Sequence, residues 1–210
     1  MRAYLFDLDG TLLDTEKVWC DAVSDYLRSR ECPMPENETI RLVYGRSWTD
    51  IYNNVTQRFE KLRDTGIYEM QNDLADFFHK ARAKTDIRIP GSVELLKSLS
   101  KNTPCCIVSG SPRKHIAEAI AIMDCAKNLQ FYVGAEDYAF GKPAPDCYLL
   151  AAEKLGVQPA DCVVFEDSAA GVSAGKSAGM RVVALSRPCR PKQNVSAADL
   201  ILEDLSQFEE

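Results

Sequence analysis

Ala3-Tyr4-Leu5-Phe6-Asp7-Leu8-Asp9-Gly10-Thr11 is the stretch on which the reading of the fold turns. Its first four residues read as a short strand buried on both faces and stopped at Asp7. Two carboxylates, two residues apart and followed by glycine, suit a tight reactive turn. One can act as a nucleophile while the other handles a proton. Taken alone, D-x-D-G fits a solvated turn nearly as well.

Outward from this stretch the apolar, β-branched runs recur: Cys-Cys-Ile-Val-Ser at 105–109, Gln-Phe-Tyr-Val at 130–133, Cys-Val-Val-Phe at 162–165 and Arg-Val-Val-Ala-Leu at 181–185. Helical patterns lie between them, over 92–101, 112–123 and 148–155. This alternation predicts an α/β fold, a Rossmann-like doubly wound parallel sheet with helices on both faces. Residues 14–85 break it, with no convincing strand. Val18, Ala22 and Tyr26 repeat at i+4, as do Trp19, Val23 and Leu27, and further helices fit 36–44, 47–62 and 68–84. A parallel crossover needs only a dozen or more residues, so about 72 residues of helix imply an insert. The expected organisation is an α/β core of 1–13 and 86–210 with a helical cap of 14–85. The cap would lie beside the strand ends where open α/β sheets bind ligands. The run 203–210 reads as a solvated terminal helix.

Three more clusters follow strands. Ser109-Gly110-Ser111 offers a hydroxyl and open backbone amides, suited to phosphate, or an ordinary cap with Ser111 before Pro112. Gly141-Lys142-Pro143-Ala144-Pro145-Asp146 would fix one lysine in a rigid turn. Glu166-Asp167-Ser168 could hold a hard cation through oxygen or favour a helix N-terminus. The sheet gathers all four clusters on one edge, which makes four separate bland explanations less credible together.

D-L-D-G-T, V-S-G-S, G-K-P-A-P-D and V-F-E-D-S, in that order, resemble the haloacid dehalogenase-like hydrolase superfamily, in its branch with a helical cap. The chain is similar there to the β-phosphoglucomutase and sugar-phosphate phosphatase group. The resemblance implies a Mg²⁺-dependent phosphomonoesterase acting on a small phosphorylated metabolite through an aspartyl-phosphate. It implies Asp7 as nucleophile and metal ligand, and Asp9 as acid/base with its carbonyl on the metal. Ser109 and Gly110 would bind phosphoryl oxygens, and Lys142 would link phosphate to Asp7. Asp167 would complete the metal site, with Glu166 as ligand or support. Trp19 stands where the mutases carry a histidine, which favours hydrolysis over isomer conversion. The presence of Asp9 argues against a dehalogenase. A catalytically idle binding module is the remaining alternative.

Arg46, in Gly45-Arg46-Ser47-Trp48, suits an anionic or hydroxyl-rich group of the substrate, or a plain surface position. Lys17 and Trp19 are weaker candidates, and His79 and His115 read as structural or surface residues. Ala170 to Ser177 loosely matches a nucleotide-binding P-loop, but no full helix fits after Gly175-Lys176 before the next strand. That pair instead reads as the end of a helix capped at Gly179.

The chain has 210 residues and a net charge of −6. The charge disfavours nucleic-acid and anionic-membrane binding. No apolar run approaches the ~18 residues of a membrane span, and no signal segment is expected. Eight cysteines without a C-x-x-C pair read as reduced, buried thiols of a cytoplasmic protein, not a zinc site. Oligomeric state is not legible.

Overall fold

β1 (Ala3–Phe6) has no exposed residue and pairs on both sides, Tyr4 opposite Cys105 on one and Val163 on the other. That accounts for its uninterrupted apolar run. The computed structural model describes residues 2–44, 46, 48–84, 86–188 and 190–209. Among them the remaining strands are β2 (Cys105–Val108), β3 (Phe131–Val133), β4 (Cys162–Glu166), β5 (Arg181–Leu185) and β6 (Leu200–Leu202). Every pairing is parallel, in the order β3-β2-β1-β4-β5-β6. The chain therefore builds outward from β1 in one direction, then resumes at β4 and builds in the other. The carboxyl ends of β1 and β4 flank the point where the winding reverses, the place such sheets keep for ligands.

The chain divides into two compact units, Met1–Leu13 with Arg88–Glu210, and Asp14–Ile87. In the first, α5 (Ser92–Leu99), α6 (Arg113–Met123), α7 (Asp146–Leu155) and α8 (Ala169–Ser177) interleave with the strands. Gly156 caps α7 at φ 67°, and Gly179, two residues after α8, has φ 75°; both are left-handed positions that cost glycine little. The second unit is helical: α1 (Thr15–Ser29), α2 (Glu36–Val43), α3 (Trp48–Arg58) and α4 (Ile67–Lys84). Its core joins Val23, Tyr26 and Leu27 of α1 to Ile51 and Val55 of α3 and Met70 and Leu74 of α4.

Several expectations are corrected. The helix expected over 47–62 stops at Arg58, and a short 3-10 turn over Glu60–Leu62 follows. β6 has no counterpart in the sequence reading: it is three residues long and sits at the sheet's edge, with only part of its surface buried. The run 203–210 is not a solvated helix among its described residues. It makes a 3-10 turn over Leu205–Gln207, with Leu205 fully buried. Phe208 packs edge-on against Phe165 at 5.0 Å and Tyr4 at 6.3 Å. The P-loop match is excluded because Lys176 lies late in α8 with its Nζ 2.6 Å from Asp199 Oδ1. The seven described cysteines are buried free thiols; Cys189 lies outside the described residues. No described helix is long and apolar enough to cross a membrane.

Candidate active site

Asp7 continues β1 by one rung, its N–H donating to the Phe165 carbonyl at 2.9 Å. The chain then folds back, with the Leu12 and Leu13 amides donating to the Leu8 carbonyl at 2.9 and 3.0 Å. Gly10 holds φ 92°, and a Cβ there would lie 2.2 Å from Asp167 Oδ2. Backbone conformation and a neighbouring carboxylate thus both require glycine.

Lys142 enters from the loop before α7, next to a cis Lys142–Pro143 peptide bond. Its Nζ donates to Asp7 Oδ1 at 2.6 Å, Glu166 Oε1 at 2.6 Å and the Val108 carbonyl at 3.2 Å. All three ammonium hydrogens are thereby used. The Tyr148 ring supports the same ammonium at 5.0 Å. Burial opposes the lysine charge, but Asp7 and Glu166 outweigh it and hold the ammonium well above the usual lysine range.

Glu166 ends β4 wholly buried. Besides Lys142, its Oε1 accepts from the Tyr148 hydroxyl at 2.9 Å. Oε2 accepts from the backbone N–H groups of Asp167 and Ser168 at 3.0 and 3.1 Å and from the Ser168 hydroxyl at 3.0 Å. Burial works against this charge, yet Lys142 and these donors hold the carboxyl below its usual range. A Cβ on Gly171 would lie 1.7 Å from Glu166 Oε1, so α8 carries glycine where the carboxylate rests on it.

Asp7, Glu166 and Asp167 each offer a carboxylate oxygen within 4.8 Å of the others, a cluster that could hold a metal ion. Burial pushes Asp7 up, Lys142 opposes, and Glu166, Asp167 and Asp9 push further the same way. Asp167 is pushed up to about 7, by burial first and then by Glu166. Among the described residues its only side-chain hydrogen bond is a long one, from the Thr11 hydroxyl at 3.4 Å.

Asp9 faces the end of β2. Its Oδ2 accepts from the Ser111 hydroxyl at 2.7 Å and the Ser109 hydroxyl at 3.3 Å. Ser109 Oγ in turn accepts the Ser111 N–H at 3.0 Å. Ser111 is therefore no side-chain cap: Pro112 occupies the N-cap of α6, which has no side-chain capping bond. The Tyr138 hydroxyl donates to the Ser109 carbonyl at 3.1 Å, and Gly110 stays open.

The structure thus brings together Asp7, Asp9, Ser109, Glu166 and Asp167 from the ends of β1, β2 and β4 with Lys142 from the loop before α7. Sequence reasoning missed Tyr148, whose aromatic ring reads as a core residue of α7 and hides a hydroxyl aimed at Glu166. It also missed Gly171, whose lack of a side chain leaves room for the Glu166 carboxylate. Arg46 belongs to the helical unit, and its neighbours Gly45 and Ser47 lie outside the described residues. Lys17 pairs with Asp21 at 2.6 Å, and His79 and His115 are exposed.

Residues 4–185 match the haloacid dehalogenase-like hydrolases. The chain belongs to this family. Hexitol phosphatase A of Escherichia coli is 35% identical over 99% of this haloacid dehalogenase-like hydrolase and 93% of its own length. A bifunctional riboflavin kinase/FMN phosphatase of Arabidopsis thaliana is 32% identical over 96% of the chain, which spans only 52% of that longer protein. A solved Thermotoga maritima structure, provisionally assigned as a β-phosphoglucomutase, superposes with TM-score 0.86 at 25% identity, covering 99% of this chain and 96% of that one.

Proposed function

We propose that this hydrolase is a Mg²⁺-dependent phosphatase that cleaves a small phosphorylated metabolite through an aspartyl-phosphate on Asp7. The observation that carries the reading is the Lys142 ammonium held 2.6 Å from a buried Asp7, beside a second carboxylate, Asp167, that lacks a strong donor. Fully ionised, Asp7, Glu166 and Asp167 carry three negative charges against one from Lys142. A divalent cation balances the remainder, and an all-oxygen donor set suits a hard ion.

In this reading Asp7, Asp167 and the Asp9 carbonyl would hold the cation, which would offset charge on the phosphoryl oxygens. Glu166 acts as counter-charge to Lys142. An Asp7 oxygen attacks phosphorus while the bond to the leaving oxygen breaks, and Asp9 gives its proton to that alkoxide. Asp9 then takes a proton from water, which attacks phosphorus and frees Asp7. Ser109 and the Gly110 amide bind the phosphoryl oxygens, and Lys142 screens the approach of two anions. At about 4 Å that repulsion is worth on the order of 4 kcal/mol at an effective dielectric of 20.

The names of relatives support a sugar- or polyol-like phosphate: hexitol phosphatase A and fructose-1-phosphate phosphatase YqaB, both of Escherichia coli, the latter 32% identical over 85% of this chain. Arg46 would contact the substrate, and buried free thiols support a reducing, cytoplasmic setting. The test is phosphate release from a panel of phosphorylated metabolites, with Mg²⁺ and with chelator. Turnover should need the metal and vanish in Asp7→Asn. Chelator-insensitive release, or substantial activity in Asp7→Asn, overturns the reading.

A further inference from the structure

We propose that Tyr138 is a positioning residue of the phosphate site: its hydroxyl holds the Ser109 carbonyl and thereby aims the Gly110 N–H, the other half of the same peptide, at the phosphoryl group. The assignment rests on the reading above, in which that amide binds a phosphoryl oxygen.

The turn after β2 is held largely by β3 and the segment that follows it. The Ser109 N–H donates to the Val133 carbonyl at 3.0 Å, the Ala135 N–H to the Ser111 carbonyl at 3.1 Å, and Lys142 Nζ to the Val108 carbonyl at 3.2 Å. The Ser111 N–H turns inward onto Ser109 Oγ at 3.0 Å. Gly110 is exposed, and among the described residues its N–H has no acceptor, which leaves one amide of the turn open to a ligand. The direction of that amide is set from behind. The Ser109–Gly110 peptide is trans, and in a trans peptide the carbonyl and the N–H point opposite ways in one rigid plane. Whatever fixes the carbonyl therefore fixes the amide. The donor on the carbonyl is the Tyr138 hydroxyl, at 3.1 Å. On its other side the plane is hinged at a glycine, whose φ is weakly restrained, so an outside hold is needed. The Tyr138 ring packs on the apolar core that includes Val133 and Cys147, which presents the hydroxyl from a fixed base. The preceding residue, Asp137, is tied to the Gly134 N–H at 2.8 Å and to Arg113 at 2.6 Å.

The sequence makes this peptide directly observable, because no glycine other than Gly110 follows a serine. Cell-free synthesis with ¹³C-carbonyl serine and ¹⁵N glycine gives a single carbonyl-edited amide cross-peak, and it reports the Ser109–Gly110 peptide alone. Titrated with orthophosphate at saturating Mg²⁺, the wild-type cross-peak should move saturably. Tyr138→Phe keeps the ring and loses the hydroxyl. Its cross-peak should differ from wild type before phosphate is added, and orthophosphate should bind about five- to tenfold more weakly, the scale of one hydrogen bond. In turnover the same variant should lower kcat/KM by a similar factor. The Mg²⁺ concentration for half-maximal activity should stay unchanged, since the hydroxyl bonds to the backbone and not to a carboxylate. A lower Tm with orthophosphate affinity unchanged makes Tyr138 a structural residue only and overturns the assignment. Robust phosphate release by a wild type whose Gly110 cross-peak ignores orthophosphate overturns it too, and leaves the phosphatase reading intact. A cross-peak that responds to orthophosphate in wild type and more weakly in Tyr138→Phe, with no phosphate release from any metabolite, upholds the assignment and removes the phosphatase reading instead.

Discussion

The Glu166 carboxylate lies within reach of Asp7 and Asp167, yet its two oxygens already accept five hydrogen bonds. A carboxylate offers about four lone-pair sites, so little remains for a cation. Asp167, three bonds along the chain, accepts only a long hydrogen bond from Thr11 among the described residues. On the proposed reading the two neighbours in sequence divide the work: Asp167 would face the metal, while Glu166 seats Lys142. The division predicts separable phenotypes. Asp167→Asn should raise the Mg²⁺ concentration for half-maximal activity by about tenfold or more. Glu166→Gln and Tyr148→Phe should leave that concentration nearly unchanged and lower kcat, Tyr148→Phe by about tenfold, the loss of one hydrogen bond to a charged group. A Mg²⁺ requirement that moves as far in Glu166→Gln as in Asp167→Asn would return Glu166 to the metal.

At the scale of elements, α8 matters less for its apolar face than for what its first turn leaves out. Ser168 caps it, accepting the Gly171 N–H at 3.0 Å, and the same hydroxyl donates to Glu166. Gly171→Ala would put a methyl group where that carboxylate rests. Displacing a positioned charge by about 1 Å can cost on the order of 10²-fold in rate. Gly171→Ala should therefore lose activity on that scale, while circular dichroism shows the helix content retained; wild-type kcat in this variant would refute the seat. Little of this is legible in the sequence, where Gly171 looks like any small helix residue. β1, β2, β4 and β5 were legible because strands buried on both faces must be apolar along their whole length. β6 was not: an edge strand of Leu-Ile-Leu beside Ala198 and Asp199 has too little burial to mark it. The terminal segment misled for the opposite reason, its acidic residues concealing Leu205 and Phe208 in the core. Of the candidate site, the charged and hydroxyl residues could be read from their strand ends. The tyrosine and glycine that hold them could not, because their roles exist only once distant segments meet.

For the molecule as a whole, the carboxylate cluster ties stability to pH and to metal. Asp167 titrates near pH 7 in the folded, metal-free chain, against 3.8 for an ordinary aspartate, and Asp7 shifts in the same direction. An acid with a raised folded pKa binds its proton more tightly folded than unfolded. Its contribution is fully present below the unfolded value and is lost as pH rises through the folded one. The metal-free chain should thus lose stability at this site as pH climbs from about 4 to about 7. Glu166 shifts the other way, so its contribution is lost only as pH falls below that window. On the proposed reading Mg²⁺ would compete with protons for the ionised carboxylates and stabilise only the folded state that gathers them. The rise in Tm from millimolar Mg²⁺ should accordingly be larger near pH 8 than near pH 5. A gain of about 1 kcal/mol should appear as roughly 2–4 °C in a chain of this size. Asp167→Asn, without metal, should melt above the metal-free wild type near pH 8 and lose that advantage near pH 5. Differential scanning calorimetry at the two pH values, with chelator and with Mg²⁺, reads all four quantities. A metal effect that is equal at both, or greater in acid, would mean that the cation is held by groups other than Asp7 and Asp167.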